Sequence, residues 1–255
     1  MPKIDTVGLY LAWSEVPWDA KVTEYPVWQI TELELRHDEE ACSALKDFEL
    51  ARARDGVGLV SCRLHHSCIR ESMFLEEHGF RFIEMLYQPE LDLVHGTGEV
   101  GDATLSVRRA IASDLPTIID IAGTSFGNER FHMDPRLGIG LGNKRYQNWV
   151  SSSFTHPDQH LYVIFDGKTL VAFFVTEMQA NDVCYWHLNA VAPDVQGQGY
   201  GRRAWQTMIR QAVDLGAKRI HTAIAARNNR VLNLYARLGF RFAPPLMTFH
   251  WVACS

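Results

Sequence analysis

The chain has 255 residues, of which 47% are hydrophobic and 22% charged, and a formal net charge of −5. These values fit a globular protein of one large or two small domains, and they argue against nucleic acid or an anionic membrane surface as the main partner. No apolar run approaches the roughly 18 residues of a membrane helix, Met1-Pro2-Lys3-Ile4-Asp5 does not open a signal peptide, and five scattered cysteines fit reduced thiols, so a cytoplasmic location is expected.

In the first ninety-odd residues, Gly58 to Leu64 reads as a strand, Ser67 to His78 as a helix, and Gly79-Phe80-Arg81-Phe82-Ile83-Glu84 as the return. Cys62, His65, His66 and Cys68 crowd one strand end, but no second Cys/His pair follows at zinc-finger spacing, so no metal is expected. His95 to Asp102 carries three glycines without periodicity and reads as a linker between residues 1–94 and 103–255. Beyond it, Ala103 to Ala110 alternates like a strand with Leu105 and Val107 on one face. Ser113-Asp114-Leu115-Pro116 then opens a helix reaching about Ala122. Arg130-Phe131-His132-Met133-Asp134-Pro135 reads as a loop, and Asn143 to Phe154 as a helix with Tyr146, Trp149 and Val150 on its apolar side. Leu161–Phe165 and Leu170–Met178 are strands joined at Asp166-Gly167; Val183–Val191 and Leu246–Val252 are further strands.

The stretch after Val191 carries the chemistry. Gln196-Gly197-Gln198-Gly199-Tyr200-Gly201 joins a strand to a helix, where backbone N–H groups and the helix dipole can hold an anion. A dinucleotide fingerprint would need its third glycine one residue later, and a P-loop would need a glycine where Tyr162 stands before Gly167-Lys168-Thr169. The remaining pattern is Q-x-x-G-x-G, met by Gln196, Gly199 and Gly201. Downstream, Asn228 suits a helix N-cap and Gly239 a left-handed C′ position, while Asn228 and Tyr235 lie about two turns apart on one helix face. Taken without the loop, these residues read as a plain cap and a core tyrosine.

Together the loop, Asn228, Tyr235 and Leu238-Gly239-Phe240 resemble the GNAT N-acetyltransferase superfamily. The resemblance implies an α+β fold, a mixed and mostly antiparallel sheet flanked by helices, and acetyl-CoA as cosubstrate without a metal. It implies that Gln196, Gly197, Gln198, Gly199, Tyr200, Gly201 and Arg202 meet the pyrophosphate and Asn228 the cofactor arm. Asn189, Ala190 and Val191 would offer backbone N–H groups to the thioester end, and Tyr235 would protonate the CoA thiolate. Gly-Phe-Arg-Phe occurs twice, at Gly79 and Gly239, each time after a helix. The N-terminal half therefore reads as a degenerate partial copy of the same domain that lacks the glycine loop.

Pro17-Trp18-Asp19, Tyr25-Pro26, the Gly79 return and Arg130 to Pro135 further resemble the dTDP-fucosamine acetyltransferase group. That resemblance implies a dTDP-linked 4-amino sugar as acceptor, with Arg130, Phe131, His132 and Glu84 on the substrate side. An amine must lose a proton before attacking a thioester, and Glu84 and His187 are the two candidate bases. Another small amine, an amino acid, an antibiotic or a protein N-terminus remain alternative acceptors, and a CoA-binding module without catalysis is the alternative of another class. The expected partner is a small-molecule amine, with a homodimer left open.

Overall fold

A computed structural model of the protein describes residues 1–94 and 105–253; the expected linker 95–102 and the first residues of the strand expected from Ala103 lie outside them. In chain order the first stretch forms β1 (Lys3–Asp5), β2 (Leu9–Glu15), α1 (Pro17–Thr23), β3 (Val27–Leu35) and α2 (Asp38–Arg54). It continues with β4 (Leu59–His65), α3 (Ile69–Glu77), β5 (Arg81–Tyr87) and β6 (Pro89–Asp92). The rest forms β7 (Ser106–Arg109), α4 (Leu115–Ser125), α5 (Arg130–Met133), α6 (Leu141–Ser153), β8 (Gln159–Asp166), β9 (Thr169–Gln179) and β10 (Val183–Val191). After these come α7 (Tyr200–Asp214), β11 (Arg219–Thr222), β12 (Ile224–Ala225), α8 (Asn229–Arg237), β13 (Arg241–Phe242) and β14 (Leu246–Val252).

The chain forms two compact units: residues 1–86, 130–141 and 244–255, and residues 87–129 and 142–243. Both are discontinuous in sequence, unlike a single cut at a linker. β14 has the bounds expected of it but pairs with β4 and β5 in the first unit, whereas β6 pairs with β11 and β13 in the second. Strand patterning gives a segment its two faces but does not name its neighbour, so this exchange of strands is invisible to periodicity.

In the second unit the strands run in the order β13-β6-β11-β10-β9-β8-β7. β10 and β11 are parallel and the other pairs antiparallel. β8 and β9 are central and read as continuous apolar runs, Leu161–Ile164 and Val171–Val175, because both of their faces are covered. One face packs on Trp205, Met208, Ile209 and Ala212, which share a side of α7, and on Tyr235 and Phe240. The opposite face packs on Ile118, Ile121 and Ala122 of α4 and on Tyr146 and Val150 of α6. Full burial of a side chain such as Ile209 contributes about 1.5–3 kcal/mol.

The first unit repeats part of this plan, with strand order β1-β2-β3-β4-β14-β5. Val27–Ile30 pair in parallel with Leu59–Cys62, as Val183–Trp186 pair with Arg219–Thr222, and in both places the parallel register ends after four residues. An irregularity follows at the same step: Thr31 is the extra residue on β3 and His187 the extra residue on β10. α3 and α8 each have nine residues. Each ends in a glycine in the left-handed region, φ +83° at Gly79 and +85° at Gly239, where a Cβ would be opposed. The following N–H closes the same turn, Phe80 to Leu75 O at 3.0 Å and Phe240 to Tyr235 O at 3.0 Å.

Arg130 to Met133, expected as a loop, is a turn of helix inside the first unit. Its residues lie far in sequence from the partners that hold them. Arg130 and Phe131 are buried, Arg130 pairs with Asp19 at 3.1 Å, and it donates to His250 Nε2 at 3.0 Å. A guanidinium can only donate, so Nε2 accepts and His250 is neutral, its Nδ1–H pointing at Asp134 Oδ2 3.0 Å away. Burial pushes the His250 imidazole down to about 4. Burial alone would raise the Asp134 carboxyl, but Arg136 and His250 outweigh it and hold the group well below the usual carboxylate range.

Candidate active site

β10 and β11 are paired only as far as Trp186 and Thr222; beyond that point β10 stays with β9 and its other edge opens as a gap. Ala192 N–H bonds Val171 O on β9 at 2.9 Å. N–H groups alternate in direction along an antiparallel strand, so those of Ala190 and Leu188 also turn to β9. Asn189 and Val191 turn theirs into the gap. Of the three residues Asn189, Ala190 and Val191, the first and third therefore present donors.

The wide end of the gap meets the glycine loop. Gly197 and Gly199 have φ of +83° and +85°, and a Cβ built on either would project into open space. Gly199 is the N-cap of α7 with no side chain capping it, so the helix's first N–H groups are left to a ligand. Gln196 holds the loop in shape: Nε2 donates to Val191 O at 3.2 Å, and Oε1 accepts from Arg230 at 3.2 Å. Gln198 donates to Asp194 O at 3.2 Å. Tyr200 donates to Asp166 at 2.9 Å, and Arg203 pairs with the same carboxylate at 3.5 Å. Arg202 is exposed. Open space over two left-handed glycines, an uncapped helix start and nearby arginines suit a pyrophosphate.

At the narrow end sits Tyr235, 1% exposed. Burial pushes its phenol up, while the side chains of Trp205, Thr222 and Asn189 beside it pull the other way. The net rise keeps the hydroxyl protonated at neutral pH. Asn228 caps α8 by accepting from Val231 N–H at 3.3 Å, so the two residues two turns apart do share the helix they were read onto.

His187 lies at the same end of the gap but on the α6 face of the sheet. Its ring is 6.1 Å from that of Trp149 and 4.8 Å from that of Tyr185, and its Nε2 is 2.9 Å from Glu177 Oε2. Glu177 gives no signal in the sequence, since its place beside His187 depends on the β9–β10 register. Glu84, Arg130, Phe131 and His132 belong to the first unit instead. Glu84 is 1% exposed in mid-strand opposite Thr248. Cys62 is buried in that unit's core, which pushes its thiol up to about 12. Among the described residues no group of three or more His, Cys, Asp or Glu could hold a metal ion, and no helix is long and apolar enough to cross a membrane.

Residues 118–240, which span this gap, loop and tyrosine, match the Acetyltransferase (GNAT) family model. The chain has the GNAT fold. A mycothiol acetyltransferase of Corynebacterium efficiens is 27% identical over 116 residues, 46% of this chain and 38% of that protein's length. The match thus spans well under half of the curated relative. A Staphylococcus epidermidis protein of unknown function superposes with a TM-score of 0.71 at 12% identity, covering 99% of this chain and 94% of its own. A tandem GNAT protein from the clavulanic acid biosynthesis pathway superposes with a TM-score of 0.54 at 13% identity, covering 91% of this chain and 76% of its own. At these identities the structural likenesses speak for the fold. A tandem arrangement of GNAT-like sheets, one per unit, accords with them.

Proposed function

We propose that the second unit transfers the acetyl group of acetyl-CoA to a primary amine at the gap between β10 and β11. The observation that carries the reading is the buried Tyr235 set beside Thr222 and Asn189, where the parallel pairing of β10 and β11 ends and β10 turns N–H groups into the gap. Acetyl-CoA supplies the thioester carbon that the amine attacks, forming a C–N bond and breaking the C–S bond. Gly197, Gly199 and the first turn of α7 bind its pyrophosphate. The Asn189 or Val191 N–H donates to the carbonyl oxygen as negative charge gathers there. His187 Nδ1 takes the ammonium proton and releases it to solvent through its partly exposed edge. Tyr235 gives its proton to the departing sulfur and regains one as the second amine proton is lost, so one proton is released per turnover.

His187 and Tyr235 lie on opposite faces of the sheet, which has the amine approach from the α6 side while the thiol leaves toward α7 and α8. The narrower proposal for the acceptor is the dTDP-linked 4-amino sugar implied by the subfamily resemblance; an amino acid or other small amine is the broader one. CoA release should be assayed with dTDP-4-amino-4,6-dideoxygalactose, glucosamine, spermidine and free amino acids. If simple amines outperform the nucleotide sugar, the narrower proposal fails and the acetyltransferase reading stands. Tyr235→Phe should lower kcat by about 10² with little change in the acetyl-CoA KM. Near wild-type turnover in that variant would remove Tyr235 from the chemistry.

A further inference from the structure

We propose that Glu177 is a positioning residue that sets the tautomer and orientation of His187, an inference that rests on the acetyl-transfer reading of the second unit. His187 is the residue that breaks the β9–β10 register, so its side chain is not fixed by a regular pleat. Three contacts fix it instead. The Tyr185 and Trp149 rings lie 4.8 and 6.1 Å from that of His187, and Glu177 Oε2 meets Nε2 at 2.9 Å.

A carboxylate accepts and does not donate, so the imidazole proton lies on Nε2. The neutral ring then carries its lone pair on Nδ1, the atom required to take a proton from the amine. Without Glu177 the ring would divide between two tautomers, one of which presents N–H at Nδ1 and cannot act as a base. The carboxylate also offsets the charge His187 acquires when it holds the proton. Both side chains are partly open to water, with side-chain exposures of 15% for His187 and 25% for Glu177, so the proton has an exit.

Glu177 is not already committed to another imidazolium. Its charge reaches His160 on β8, but burial, followed by the charge of Arg109, holds the His160 imidazole below its ordinary value, so that ring stays neutral near pH 7. The guanidinium of Arg145 on α6 lies over the rings of Trp149 and Tyr146 at 5.1 and 5.5 Å.

The direct test is nitrogen NMR of the full chain labelled at histidine, with acetyl-CoA as the added ligand. The wild-type His187 signals should report protonated Nε2 and bare Nδ1. In Glu177→Gln, whose amide both donates and accepts, the signals should move to the averaged shifts of a tautomer mixture. CoA release with the amine panel above should fall at least tenfold in kcat, with the acetyl-CoA affinity measured by calorimetry within twofold of wild type. A wild-type ring protonated on Nδ1, or an unchanged tautomer or rate in Glu177→Gln, would overturn the proposal. The wild-type spectrum needs no variant, so it decides even if Glu177→Gln fails to fold. The expected tautomer in a protein that binds no acetyl-CoA would leave this inference standing and sink the acetyl-transfer reading.

Discussion

α3 with its turn at Gly79 and α8 with its turn at Gly239 have the same length, the same left-handed glycine and the same buried phenylalanine after it. Counted back from the glycines, Leu75 occupies the place of Tyr235 and Cys68 that of Asn228. Ahead of them the contrast widens. Only Arg36 and His37 separate β3 from α2, whereas Ala192 to Gly199 separate β10 from α7. The first turn of α2 holds Asp38, Glu39 and Glu40 where the first turn of α7 has no acidic residue. Carboxylates at a helix start use the dipole that a phosphate would need and repel the phosphate itself. Packing therefore accounts for the strand gap, the irregular step and the left-handed glycine in both units, while the glycine loop, the buried tyrosine and the side-chain N-cap occur in the second. A GNAT frame is not by itself a CoA site.

Substitutions in the frame that the two units share carry the largest expected effect. Phe80→Ala and Phe240→Ala should each cost about 3–5 kcal/mol of stability, because both empty a buried site of the same kind. Denaturant melts showing a large loss for one and almost none for the other would mean the two turns are alike in shape but not in role.

A second difference lies in the first unit's polar core. His250 is held at about 4 against an ordinary 6.5, so the folded protein binds fewer protons than the unfolded one between those values. Stability present above pH 6.5 should be lost as pH falls toward 4, by about 3 kcal/mol in all, and His250→Gln should flatten that part of the curve. A stability profile level from pH 7 to 4.5 would contradict the neutral His250 between Arg130 and Asp134.

The caps should differ by the smallest margin. Asn228→Ala should cost about 1 kcal/mol, since its side chain accepts from Val231 N–H, and Cys68→Ala close to nothing, since Cys68 makes no such bond. Equal losses in thermal melts would show that the two helix starts do not depend on their side chains.

Much of the second unit is legible in the sequence. Val183–Val191 forms within the expected bounds, as does Leu246–Val252 of the first unit, Asn228 caps its helix, and Gly239 takes the left-handed conformation, because each depends on local pattern or on one residue's backbone freedom. α2 was equally readable from Ala41, Ala44, Leu45 and Phe48 at helical spacing, although no helix was expected there. The exchange of β6 and β14, the burial of Glu84, and the helix at Arg130 are not local. Each is decided by partners more than a hundred residues away, such as Asp19 and His250 for Arg130. The same holds for Glu177, whose meeting with His187 is set by strand register and not by any motif.

On the proposed function acetyl-CoA binds in the second unit alone, which calorimetric titration of the full chain with acetyl-CoA measures. One site per chain is expected, its affinity lowered at least a hundredfold in Gly199→Val, where a branched side chain would enter the phosphate's space from a strained backbone. Two sites per chain, or unchanged affinity in a folded Gly199→Val protein, would contradict it.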